Sequence, residues 1–143
     1  MTTRLIHVMV YLLALASMAK AGPADTDPCA NEDSNVDQRV CYTKQQTLVN
    51  AQADSLATRL SLDLRKDAAD SSAEGDKIVA DLLRKAAREL ARSQKSWRAY
   101  RDQQCNAVLY SYTTGSGAGT AYEACMFQLG QSRVRELRDS FGD

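Results

Sequence analysis

The sequence predicts an all-α fold: an antiparallel bundle of three main helices with a disulfide-clasped, glycine-rich loop. Three observations predict it. From Val36 to about Ala69 there is no proline or glycine, and apolar residues recur at helical spacing. Breaker residues then concentrate in only two places, "DSSAEGD" at 70–76 and "SYTTGSGAGT" at 111–120. No run alternates apolar and polar residues as a half-buried strand would.

The chain opens with a segment of targeting character. Arg4 is followed by an apolar run from Leu5 to Ala19, and Ala19-Lys20-Ala21 has the A-x-A form of a signal-peptidase site. The run is short for a membrane span, and nothing later in the chain is apolar enough to be one. We therefore expect residues 1–21 to be a signal peptide, cut near Ala21, and the mature protein to be periplasmic or secreted, with no membrane contact.

Cleavage there leaves 122 of the 143 residues, enough for one domain. It removes Arg4 and Lys20 and leaves 16 basic against 18 acidic side chains. That balance gives no reason to expect nucleic acid or an anionic membrane as partner. The only histidine, His7, departs with the leader. Histidine acid–base catalysis, histidine-activated nucleophiles and histidine metal sites are thereby excluded from the mature chain, and no cofactor motif replaces them.

Residues 22–33 hold both prolines, Pro23 and Pro28, and read as an extended arm tied down by Cys29. Asp25, Asp27, Glu32 and Asp33 make it acidic. The helical domain is placed at 34–143. Ser34 or Asn35 suits the first N-cap, with Gln38 at capping-box distance from Asn35. Leu48, Leu56, Leu60 and Leu64 are expected on the inner face, beside Val49 and Ala53.

Ser71 and Glu74 form an S-x-x-E signature, so the second helix is expected to start there. Its apolar face runs through Ile78, Leu82, Leu83, Ala86, Leu90 and Trp97 to Cys105 and Val108. Gly115, Gly117 and Gly119 disfavour helix across 111–120, each by about 1 kcal/mol against alanine. A third helix is expected from about Thr120 to Arg138, with Tyr122, Met126, Leu129 and Leu137 inward.

Four cysteines in an exported chain read as two disulfides, with three connectivities open. The local pairing, Cys29–Cys41 and Cys105–Cys125, is expected, because each bridge then staples an irregular segment onto a helix. A four-thiolate zinc site lacks any C-x2-C spacing, and no other metal site is expected.

Trp97, Arg101 and Cys105 fall four residues apart on one helix face. An arginine there needs an acidic partner, and Asp54 on the first helix is the expected one. Arg98 and Asp102 stand at i,i+4 spacing. The core-peg reading assigns Trp97, Arg101, Asp102 and Asp54 to structure. Tyr100 and Arg98 are candidates for a binding surface.

W-x-x-Y-R-D-x-x-C at 97–105, the glycine/serine loop, Cys125, Arg133 and the C-x11-C pair of Cys29 and Cys41 together resemble the LprI-like lysozyme-inhibitor domain. The resemblance covers nearly the whole mature chain. Members of that family often carry D-x-x-L-N-x-x-Y in the first helix; here Asp54 is followed by Ala57, Thr58 and Ser61. The resemblance implies an exported, non-enzymatic protein that binds a peptidoglycan-cleaving muramidase, whether a host lysozyme or a competitor's effector. An envelope structural or adaptor module that binds no hydrolase is the alternative. Muramidases work with paired carboxylates in a cleft. A narrow protrusion bearing Tyr112, Thr114, Gly115, Ser116 and Gly117 is the expected contact, with the acidic arm as an electrostatic lure for a cationic enzyme.

Overall fold

The computed structural model describes residues 27–113 and 115–142. The leader, its cleavage site, Asp25 and Thr114 lie outside the described residues. Three helices account for most of the rest: α1 (Asn35–Ala73), α2 (Lys77–Ser111) and α3 (Ala118–Phe141), with no strand among the described residues.

Helix α1 is capped by Ser34, whose extended backbone leaves its Oγ to accept the Asp37 N–H at 3.1 Å and to donate to the Asp37 carboxylate at 2.5 Å. The capping pair thus sits one residue earlier than Asn35–Gln38. Asn35 is left free to bind elsewhere, and its amide donates to the Ser116 carbonyl at 2.9 Å.

The Ser71–Glu74 signature does not start a helix. Helix α1 runs on through Ser71 to Ala73, and Asp76 caps α2 by accepting the Val79 N–H at 3.0 Å. The deciding residue is Gly75, at φ +89°, a left-handed conformation that ends helices and that only glycine adopts without strain. Helix α3 likewise starts earlier than expected, at Ala118, with Gly119 in its first turn. A Cβ at Gly119 would stand 2.7 Å from the Arg39 guanidinium carbon. That neighbour is the flexible end of a long side chain, and Gly119 sits within the helix without breaking it.

The core is built mainly from α1. Val49, Ala53, Leu56 and Leu60 follow i, i+4, i+7, i+11 and pack with Tyr42, Leu90, Phe127, Val134 and Leu137. Leu48 is exposed, contrary to expectation. It lies eight residues before Leu56, about 80° round the helix at 3.6 residues per turn, so i+4 steps alone drift off the buried stripe. Ile78 and Leu82 are also exposed, at 76% and 61%, while Ala80 and Ala87 are fully buried. The inner face of α2 follows its alanines there.

Both disulfides join the expected partners, Cys29–Cys41 and Cys105–Cys125, with Cα separations of 5.8 and 5.6 Å. In the arm, Asp27 Oδ1 accepts the Cys29 N–H and its Oδ2 accepts the buried Tyr42 hydroxyl. Burial, reinforced by that hydrogen bond and by the Asp27 charge, pushes the Tyr42 phenol up to about 12. Asp27 is therefore committed to the fold.

Candidate protein-binding site

Trp97 is half-buried, with the Arg101 guanidinium 5.1 Å from its ring centroid and that of Arg133 at 5.9 Å. Arg101 does turn toward the interior, with 12% of its side chain exposed, yet it does not meet Asp54. Its Nε and Nη2 donate to the neighbouring Asp102 at 2.9 and 2.7 Å. Asp54 is occupied by Gln94 Nε2 at 2.9 Å and Arg98 Nε at 3.3 Å. The spacing pair Arg98–Asp102 does not form either, since each residue has a nearer partner.

The arginine that links the helices is Arg133 of α3, with 6% of its side chain exposed. Its Nε donates to Gln94 Oε1 at 2.9 Å, one Nη to Ser93 Oγ at 2.8 Å, and the other pairs with Glu136 at 2.8 Å. Asp54, Gln94 and Arg133 thus form a polar relay from α1 through α2 to α3. Every buried charge in it has a hydrogen-bonded partner, as burial requires. Met126, Gly130, Arg133 and Leu137 follow the buried 3.6-residue pattern of α3. That periodic position is the signal that marks Arg133 as an inward charge.

The α2–α3 connection is shorter than the expected 111–120 loop. Ser111 belongs to α2, Thr120 is buried in α3, and the turn spans Tyr112 to Gly117. The Ala118 N–H donates to the Gly115 carbonyl at 3.3 Å. Asn35 of α1 holds the turn by its bond to Ser116, and Thr120 Oγ donates back to the Asn35 carbonyl at 3.0 Å. The half-exposed Tyr112 ring lies near Gly115 and Gly117, where added Cβ atoms would come within 3.9 and 3.6 Å of it. Beneath the turn, Cys105 and Cys125 join its two flanking helices.

Tyr100 and Arg98 are both exposed. Two residues apart on a helix, they project about 200° from one another and do not share a face. Arg98 faces the α1–α2 seam through Asp54. Among the described residues, no group of His, Cys, Asp and Glu is arranged to hold a metal ion, and no helix is long and apolar enough to cross a membrane.

The family model described as lysozyme inhibitor LprI matches residues 27–137, from the start of the described arm to the last buried leucine of α3. No curated protein and no solved structure matches the chain.

Proposed function

We propose, because the chain belongs to the lysozyme inhibitor LprI family, that it is an exported, non-enzymatic inhibitor that binds a lysozyme-type muramidase and blocks its cleft. The observation that carries this reading is the extent of the family match. It takes in α1 and α2 whole, α3 as far as Leu137, both disulfides and the turn between α2 and α3. Two disulfides fit an oxidising compartment, so we place the mature protein in the periplasm or outside the cell, after leader cleavage near Ala21. The target is a host lysozyme or a competitor's effector; in the second case the chain serves as an immunity protein.

Domain 34–143 is read as an antiparallel bundle, α1 against α2 and α2 against α3. The stepping of Asp54–Gln94 and Ser61–Ala87, and of Arg133–Gln94 and Cys105–Cys125, supports that reading. The Tyr112–Gly117 turn is its contact element, with Thr114 included. Muramidase carboxylates accept hydrogen bonds, and Tyr112 and Ser116 carry hydroxyl donors on an exposed turn tied at Asn35 and closed below by a disulfide. A turn held in advance loses less conformational entropy when it binds.

The test is muramidase activity on purified cell walls, with oxidised mature protein added across a concentration series. The enzymes are one animal lysozyme and a panel of bacterial muramidases. Inhibition saturating at one-to-one stoichiometry is expected. Full activity of every enzyme in the presence of folded protein overturns the reading.

A further inference from the structure

Charge is spread unevenly over the three helices. Helix α2 carries eight Lys and Arg against three Asp and Glu, whereas α1 has five of each and α3 three of each. Arg84, Arg88, Lys95 and Arg98 fall within about 80° of arc at 3.6 residues per turn, so the excess gathers on one flank. That flank borders a cleft of about 230 Å³ between α1 and α2. Small side chains, Ala57, Ser61 and Ala91, line it together with Leu62, and two arginines bound it, Arg65 from α1 and Arg98 from α2.

The cations here differ in their engagement. Arg98 is held by Asp54, itself anchored by Gln94, so its guanidinium is oriented in advance. Arg65, Arg88 and Lys95 have no hydrogen bond or ion pair with any described residue. The cleft is smaller than the few hundred Å³ and more that a cofactor or drug-sized ligand needs. It is sized for a protein side chain.

We propose that this cleft and the basic flank of α2 form a docking surface for an acidic segment of the protein target, with a carboxylate side chain entering between Arg65 and Arg98. The proposal rests on the inhibitor reading and sharpens it: the preferred muramidase presents carboxylates beside its cleft. Complementary charge of this kind guides encounter with an acidic face of the target, whatever the target's overall charge. A polyanion such as nucleic acid fits less well. On that flank Arg84 and Arg98 are each paired with an acidic side chain, Asp81 at 2.9 Å and Asp54 at 3.3 Å, which breaks the basic stripe into separate points.

The probe is a labelled oligoglutamate peptide, titrated into the mature protein at low and at physiological ionic strength. Duplex DNA and anionic lipid vesicles serve as rival ligands. The double variant Arg65→Glu/Lys95→Glu is compared with Lys44→Glu/Arg138→Glu, an equal charge change elsewhere, each checked for helical content. The cleft pair, Arg65 of the cleft with Lys95 of the adjoining flank, should weaken peptide binding, and inhibition of any muramidase the wild type blocks, by roughly tenfold or more, and the control pair by less than about twofold. Equal losses in the two pairs overturn the proposal. So does tighter binding of DNA or vesicles than of the peptide, or undiminished inhibition by the folded cleft variant. Peptide binding lost only in the cleft pair, with no muramidase inhibited, keeps the docking surface and removes the inhibitor reading.

Discussion

The two ends of the bundle are built differently. At the end holding the α2–α3 turn, Cys29, Tyr42, Phe127 and Cys105 are buried and two disulfides cross-link the chain. Helix α3 starts level with Asn35, and its 24 residues reach about 36 Å against about 58 Å for the 39 residues of α1. Beyond that reach α1 and α2 continue as a pair. Ala68 and Ala80 are buried there, while Leu62, Ile78 and Leu82 face out. Two helices touching along alanines bury little apolar area, so this tip depends on helix continuity, the Asp76 cap and the Gly75 turn. Large side chains are buried where a third helix receives them.

The largest expected effect comes from opening the cross-linked end. Replacing all four cysteines with serine should cost about 3 kcal/mol for each bridge in the chain-entropy model, read from denaturant unfolding. A loss below about 1 kcal/mol for both together would remove the contrast between the ends.

Next, Leu137→Ala, at a residue 1% exposed, should cost about 2–5 kcal/mol. Leu82→Ala at the tip should cost about 0.5 kcal/mol or less. Similar values would show that the tip buries Leu82 in solution.

Arg133→Ala should cost about 1–3 kcal/mol, because Gln94 Oε1 and Ser93 lose a buried donor. Arg101→Ala should cost under about 1 kcal/mol, since its acidic partner is half exposed to solvent. The reverse order would return Arg101 to the centre of the polar relay.

The narrowest effect is a pH dependence that shows only in the alkaline range. The Tyr42 phenol is raised from 10.0 to about 12 on folding, so the folded state holds its proton more tightly than the unfolded state. The stabilisation is complete below pH 10 and disappears as pH rises through about 12. Tyr42→Phe should flatten that part of the stability profile, and an unchanged slope would show that Tyr42 titrates alike in the folded and unfolded states.

Much of this architecture is legible in the sequence. The proline-free run to Ala69, the two breaker clusters and the even cysteine count lead to three helices and two local bridges. What is less legible depends on neighbours. A stripe containing Leu48, Ile78 and Leu82 has the same period whether or not a third helix covers it. Gly119 reads as a breaker, yet it lies in the first turn of α3. The partner of Asp54 depends on the register between helices, which spacing within one helix does not encode. For the same reason Arg101 looked like the inter-helix arginine, while Arg133 carries that role.

The Cys105–Cys125 bridge has one further consequence, for proteolysis. Any single backbone cut from residue 106 to 124, including one in the exposed turn, leaves the two pieces joined through sulfur. The nicked chain would migrate as one species without reductant and as two with it. The exposed turn can thus be severed without being released.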